Sequence, residues 1–318
     1  MAVLHCDFCA HRCALEEGQR GLCGIRENQG GELVTTVYGQ VQSAAVDPIE
    51  KKPLYHFLPG SRVFSVALAG CNFRCSFCQN ASIAVPELFP PPAAQWRPED
   101  VVDAWERSET PTVAYTYSEP SVWQDFILDT APEIRRRGGK VVMVTNGFLT
   151  PQALERLLPV VDAFNIDLKG DDHFYRSLCR GTVAPVLDTI RRVSGVRHLE
   201  VTTMLIPSRH TPTVVSGLRR HLVDAGVKVW HLSRFFPAWK MRDEPATSEE
   251  FLNGTIEEIR NSEAPPFIFA GNSRQSQYQR THCPECGTLC IDHRSPVRDF
   301  THYGACPHCG YSIYGVFG

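Results

Sequence analysis

Cys71, Cys75 and Cys78 sit at C-x3-C-x2-C spacing in the stretch CNFRCSFCQN, and no fourth cysteine follows close by. Thiolates are soft ligands that suit zinc or iron–sulfur clusters. A structural zinc site takes four protein ligands, and iron–sulfur cubanes ordinarily use four cysteines. Three thiolates leave one position for something else: a distant Cys or His on zinc, or an exogenous molecule on a cluster iron. Cys283, Cys286, Cys306 and Cys309 form C-x2-C-x19-C-x2-C, each pair inside a CPxCG knuckle, which reads as a zinc ribbon. Cys6, Cys9, Cys13 and Cys23 follow C-x2-C-x3-C-x9-C and suit either zinc or an auxiliary iron–sulfur cluster. Arg12, Arg20 and Arg26 beside them are compatible with both. Cys290 is expected to be a free thiol and Cys179 a semi-buried one at a helix end.

The full complement is thirteen cysteines, an odd number gathered in short-range clusters, so metal sites explain them better than disulfides. The N-terminus, MAVLHCDFCAHRC, places cysteines and a histidine where a signal peptide would be apolar, and no long apolar run follows. A cytoplasmic protein with no membrane partner is expected. In 318 residues, 43% are hydrophobic and 21% charged, as in ordinary globular proteins, and the formal charge of −3 argues against a broad polyanion-binding surface. The tail lacks a dense Lys/Arg patch, so its metal knuckles are read as a structural staple and a nucleic-acid partner is not expected.

Positioning the triad requires a scaffold, and residues 61–271 alternate strand and helix. Strand-like runs fall at 63–69, 112–117, 140–145, 162–168, 198–206, 228–235 and 266–271; helical runs fall at 97–107, 121–138, 150–158, 184–193, 213–225 and 248–261. Pro132 should bend or divide the second of these helices. Repeated strand–helix units without a Gly-rich dinucleotide fingerprint predict an α/β fold with a parallel sheet, a partial (β/α)6 TIM-like barrel. Residues 1–60 form an N-terminal cysteine-rich segment and connector, with strands expected at 32–38 and 40–45, and 272–318 form the zinc-ribbon-like module.

Parallel barrels carry chemistry on loops after the strands. The triad follows the first strand, Ser118 and Glu119 the second, Asn146 and Gly147 the third, Asp167 and Lys169 the fourth, and Arg234 the sixth. Each of these has an ordinary turn role as well; their recurrence opposite the triad is what suggests a site. The connector DPIEKKPLYHF, with Glu50, Lys51, Lys52, Tyr55 and His56, either closes over the barrel mouth or runs as a solvated link. Tyr55, His56 and Arg234 are candidates for substrate contact.

The triad, with aromatic Phe77 before its last cysteine, resembles the radical S-adenosylmethionine (SAM) superfamily. The stretches DPIEKKPLYHFLPGS, AGCNFRCSFCQN, YTYSEP, DLKG, HFYRSLC, EVTTMLIP and HLSRFFPAWKM are similar to one subfamily, the radical SAM enzyme of the AmmeMemoRadiSam system, related to pyruvate formate-lyase activating enzymes. The resemblance implies a 4Fe–4S cluster on Cys71, Cys75 and Cys78, with SAM chelating the open iron and yielding a 5′-deoxyadenosyl radical that abstracts hydrogen from a substrate. It places Glu119 on the SAM ammonium with Ser118 beside it. Asn146, Asp167 and Lys169 fall on the ribose or methionine carboxylate, and Phe77 near the adenine. It also implies an external electron donor such as flavodoxin or ferredoxin, and Memo-type and AMMECR-type partner proteins. Ser118 stands where the subfamily usually has Asn, and Ser208–Thr211 replaces its usual Gly and Asn-Asp pattern. Activation of a glycyl-radical enzyme and a non-enzymatic zinc-binding interaction module are the alternative functions.

Overall fold

The computed structural model describes residues 3–273, 276–294 and 304–318. An antiparallel strand β1 (Gln40–Pro48) is followed by β2 (Arg62–Leu68), β3 (Thr112–Tyr115), β4 (Lys140–Thr145), β5 (Ala163–Asp167), β6 (His198–Leu205), β7 (Val229–Arg234) and β8 (Phe267–Gly271). β2 to β8 pair in chain order, every pair parallel. β1 pairs antiparallel with β2, and a two-residue strand, Ala94–Gln95, completes that edge of a nine-stranded sheet. The strand order never reverses, so the sheet lacks the switch point of a doubly wound fold. Right-handed crossovers then place the connecting helices on one face.

Those helices are α1 (Pro98–Arg107), α2 (Gln124–Arg136), α3 (Pro151–Leu157), α4 (Ala184–Val193), α5 (Pro212–Asp224) and α6 (Glu249–Arg260). Their starts follow from local chemistry. The side chains of Thr150, Thr211 and Ser248 accept hydrogen bonds from the first-turn N–H groups of Ala153, Val214 and Phe251. Pro151 and Pro212 occupy first-turn positions where no N–H is needed. Pro132 does not divide α2, which continues through it. Phe126, Ile127, Ala131 and Ile134 are all fully buried and hold both halves against the sheet.

Side chains alternate across the strands. Val141 and Met143 of β4 belong to the large core beneath the helices, whereas Val142 faces the opposite side. That opposite face is covered by the connector: Ile49, Leu54 and Phe57 pack against Val63, Ala114, Val142 and Ala163. The small residues Ala114 and Ala163 leave room for it. The connector is therefore neither a solvated link nor simply a lid. Ile49, Leu54 and Phe57 fill the inner face of the sheet, while Glu50, Lys51, Pro53 and Tyr55 between them line the cavities described below.

A second cluster continues the cover. Tyr55 packs with Val229, Phe267 and Phe269 of the last strands and with Cys290, Ile291 and Ile313 of the C-terminal module. At the other end, the cysteine-rich N-terminal segment docks beside the triad loop. His11 Nε2 lies 2.9 Å from the Asn72 carbonyl, Arg26 bonds Asp125 at 3.0 Å, and Arg156 bonds Asp7 at 2.8 Å. Among the described residues, no helix is long and apolar enough to cross a membrane.

Candidate active site

The chain leaves β2 through Gly70, whose φ of +114° and whose missing side chain are both required. A Cβ there would meet Ile25 Cδ1 at 2.8 Å. Gly70→Ala is expected to displace the loop that begins at Cys71 and to lower the thermal midpoint, an overpacking cost of about 1–3 kcal/mol plus backbone strain. A thermal melt beside the parent protein checks it; an unchanged midpoint would mean that Ile25 yields freely.

The loop is latched in place by backbone bonds. Arg74 N–H and Ser76 N–H donate to the carbonyls of Cys179 and Leu178, each at 2.9 Å, and Phe73 packs on Phe148 and Tyr175. This arrangement leaves Cys71, Cys75 and Cys78 half-buried on one cavity of about 310 Å³. Phe77, Ser118, Glu119, Asn146, Asp167 and Lys169, drawn from four separate strand ends, line the same cavity.

Glu119 is nearly fully buried and held by three donors. Thr145 Oγ1 and Ser121 N–H donate to Oε1 at 2.5 and 3.1 Å, and Asn146 N–H donates to Oε2 at 2.7 Å. A carboxylate offers about four lone-pair sites, so one acceptor site remains. Burial pushes its carboxyl above the usual range, against the pull of those three bonds. Lys169 lies 2.7 Å from Asp167. Burial opposes its charge, but Asp167 beside it keeps the ammonium ionised. Ser118 spends its hydroxyl on Leu68 O and Trp123 Nε1, at 2.5 and 3.0 Å. Asn146 is similarly engaged: its amide bonds Asn72 Oδ1 at 2.7 Å and accepts from Phe148 N–H at 2.9 Å. These two polar side chains position the walls around the triad.

Burial and then the Glu119 carboxylate push the Cys71 thiol up, and burial raises Cys78 to about 11. Cys75 is raised by a hydrogen bond with Cys179 and by burial. Three such thiols become thiolates only when a cation supplies the compensating charge. The donor set therefore fits a thiolate-bound metal group. Cys179 is fully buried, not semi-buried; it ends a π-helical turn, Tyr175–Cys179, and does not line the cavity. It stands behind Cys75 and leaves the cavity side of the triad open.

Lys51, Tyr117 and Thr145 also line the cavity, beyond the SAM contacts that the resemblance implies. Tyr117 ends the second strand two residues earlier than its apolar run suggests, because it adopts φ +68°. Its hydroxyl bonds Asp47, which also receives Lys51 and Lys52 at 2.8 and 2.7 Å. Their signal was visible as charge in DPIEKK, without a partner to interpret it. Of the three suggested substrate contacts, Tyr55 lines a neighbouring cavity. His56 is wholly buried between Tyr314 O and Thr281 Oγ1, at 2.7 and 2.8 Å, and Arg234 is held by Thr247 O and Glu249 at 2.6 and 2.8 Å. Neither lines either cavity; each is turned to structural partners.

At the C-terminus, the ligand atoms of Cys283, Cys286, Cys306 and Cys309 all lie within 4.8 Å of one another. Cys283–Cys309 and Cys286–Cys306 sulfurs are 3.5 and 3.6 Å apart. Tetrahedral zinc–thiolate bonds imply an edge of about 3.8 Å, so this group fits a single ion. Cys290 packs beside it, and burial pushes its thiol up to about 12. Cys6, Cys9 and Cys23 are buried and Cys13 is half-buried. Among the described residues, only the C-terminal four draw their sulfurs that close.

A singly wound parallel sheet with a three-cysteine loop after its first parallel strand is the architecture of radical SAM proteins. The family model described as Radical SAM superfamily matches residues 66–210, and the chain belongs to that superfamily, whose members are generally enzymes catalysing radical reactions. It is 39% identical over 299 residues to the uncharacterized protein MJ0808 of Methanocaldococcus jannaschii, covering 91% of this chain and 87% of that one. It is 31% identical over 128 residues to the 7-carboxy-7-deazaguanine synthase of Methanothermobacter thermautotrophicus, covering 39% of this chain and 49% of that one. Among solved structures, Streptococcus suis SuiB bound to S-adenosylmethionine gives a TM-score of 0.53 at 11% identity, covering 71% of this chain and 53% of SuiB. TYW1 with a lysine–pyruvate adduct gives 0.52 at 15% identity, covering 70% and 86%. At these identities the structural matches define the fold. The superfamily implies SAM and a 4Fe–4S cluster.

Proposed function

We propose that this protein is a radical SAM enzyme in which Cys71, Cys75 and Cys78 hold the 4Fe–4S cluster. The observation that supports this most is the convergence of the triad with Glu119 and the Asp167–Lys169 pair on one cavity. When bound, the cluster and SAM supply one-electron cleavage to a 5′-deoxyadenosyl radical, which abstracts hydrogen from substrate. The protein's own groups bind and orient. Glu119 offers its remaining acceptor site to the SAM ammonium, and Lys169 offers a cation to its carboxylate. Asn146 and Ser118 act by fixing the loop walls, and Phe77 presents an apolar face that excludes water from the cavity.

An external one-electron donor of flavodoxin or ferredoxin type is part of this reading. Memo-type and AMMECR-type proteins are its proposed partners, on the strength of the AmmeMemoRadiSam-like stretches from DPIEKKPLYHFLPGS to HLSRFFPAWKM. Anaerobic reconstitution followed by metal analysis and SAM turnover tests it. About four irons and four sulfides per chain at the triad are expected, with 5′-deoxyadenosine formed under reduction. A colourless protein holding zinc alone and inert toward SAM would sink the proposal. Iron beyond one cluster would assign the N-terminal cysteines to an auxiliary cluster; zinc beyond one ion would assign them to a knot.

The C-terminal group is proposed to hold one structural zinc. Removing it with a chelator is expected to release about one zinc per chain and to expose Tyr55 and Phe269 beneath the ribbon, since a tail this small folds only with its metal. Increased protease sensitivity after residue 272 and a lowered thermal midpoint are the readouts. Retention of both properties in the zinc-free protein would show that packing alone suffices.

A further inference from the structure

A second, larger cavity of about 1050 Å³ adjoins the first, and residues lining both, among them Lys51, Gln79, Asn80, Tyr117 and Thr202, form their boundary. One wall comes from the connector and the opposite one from residues 291–294 of the ribbon. One end is aromatic: the Tyr55 ring lies between His231 and His293, with centroids 4.7 and 4.4 Å away. His293 bonds Thr281 Oγ1 at 2.9 Å through Nε2, but its Nδ1 is buried with no partner among the described residues. Buried ring nitrogens are seldom left so, and a bound molecule would satisfy this one.

The charge on the wall has a definite sign. The wall carries Lys51, Arg62 and Arg294 against Glu50 and Asp292; behind it Lys52 shares Asp47 with Lys51, and Arg280 shares Asp292 with Arg294. Arg62 is exposed on the wall and forms no ion pair among the described residues. Of the two acids on the wall, Asp292 is held by Arg280 and Arg294, while Glu50 accepts from Gly60 N–H at 2.7 Å and burial shifts its carboxyl toward the neutral form. A net positive wall in a chain of formal charge −3 selects anions.

We propose that this second cavity is the substrate chamber and that it takes a small planar molecule with an anionic group. The ring lies against Tyr55, His231 and His293, the charge turns toward Arg62 and Lys51, and the reacting carbon sits at the boundary shared with the first cavity. This rests on the radical SAM reading. It departs from activation of a glycyl-radical protein, because a chamber walled by connector and ribbon admits a small molecule.

Equilibrium dialysis of the intact, cluster-loaded protein against 4-hydroxybenzoate and its neutral analogue 4-hydroxybenzamide tests the chamber. The carboxylate is expected to bind about tenfold more tightly than the amide, the scale of one charge-assisted bond. Arg62→Gln should remove most of that preference. Arg62 is exposed, so an unchanged thermal midpoint confirms that the variant is folded. Equal binding of the two probes, binding of neither, or a preference that survives both Arg62→Gln and Lys51→Gln overturns the proposal. Failure of the wild-type preparation to make 5′-deoxyadenosine from SAM strikes the reading of the function instead, whatever the probes do.

Discussion

Replacing Cys75 with alanine is expected to reduce 5′-deoxyadenosine formation to background and to prevent stable iron loading at the triad. The loop itself should survive. Its path is held by Arg74 and Ser76 N–H bonds to the carbonyls of Cys179 and Leu178, neither of which uses the Cys75 side chain. Circular dichroism and zinc content should therefore match the parent protein while iron, colour and turnover are lost. Cys179→Ala provides the contrast. Cys179 contacts Cys75 from behind and lines no part of the cavity, so its loss should spare the iron. Full iron content and turnover in Cys75→Ala would refute the triad as the cluster site. Loss of iron in Cys179→Ala would show that the fourth sulfur has a larger part than its position suggests.

The largest stability effect is expected at Glu200, a residue that touches neither cavity. Its carboxylate is wholly buried on β6 and accepts four hydrogen bonds. Tyr55 and His56 N–H donate at 2.9 and 2.7 Å, and the Nε2 atoms of His198 and His231 lie 2.9 and 2.6 Å away. The connector is thus fastened to the sheet through one anion, and His56 passes the fastening on to Tyr314 and Thr281 of the C-terminal module. Glu200→Ala orphans several buried donors at once and should cost about 3–5 kcal/mol, read as a drop in the denaturant midpoint. An effect under about 1 kcal/mol would mean that apolar packing alone seats the connector.

The same carboxylate sets a pH dependence. Burial raises its pKa, but the bonds from His198 and His231 outweigh burial and hold it below the usual carboxylate range. A group depressed on folding stabilises the protein above its unfolded pKa, about 4.3 for Glu, and that contribution fades as pH falls. Wild-type stability should decline below about pH 5 with a component missing from Glu200→Gln. Identical acid profiles of the two proteins would remove Glu200 from the account.

Much of this was legible from local pattern. The expected strand at residues 140–145 and helix at 184–193 coincide with β4 and α4, since a short continuous β-branched run and a period-3.6 apolar pattern are properties of short segments. The three strand-end groups Glu119, Asn146 and Asp167–Lys169 fell together because parallel strands in sequential order must bring their C-terminal ends to one rim. Nothing in YTYSEP announces a left-handed tyrosine, so Tyr117 has no local signal of its place in the site. His56 and Arg234 look like free polar groups near a mouth, but His56 is held by Tyr314 and Thr281, far along the chain, and Arg234 by Thr247 and Glu249 in the segment that follows its strand.

The sequence by itself determined the spacing of the cysteine groups, the order of strands and helices, and the superfamily those features define. Each depends on residues within one loop or one segment, so the covalent chain settles it. Only the tertiary structure decided that the connector lies inside the sheet, that Glu200 anchors it, that Cys179 backs Cys75, and that a second cavity opens between connector and ribbon. Those outcomes join residues more than a hundred positions apart, such as His56 and Thr281. Which distant donor meets a buried acceptor is set by how the layers pack, and local sequence carries no record of it.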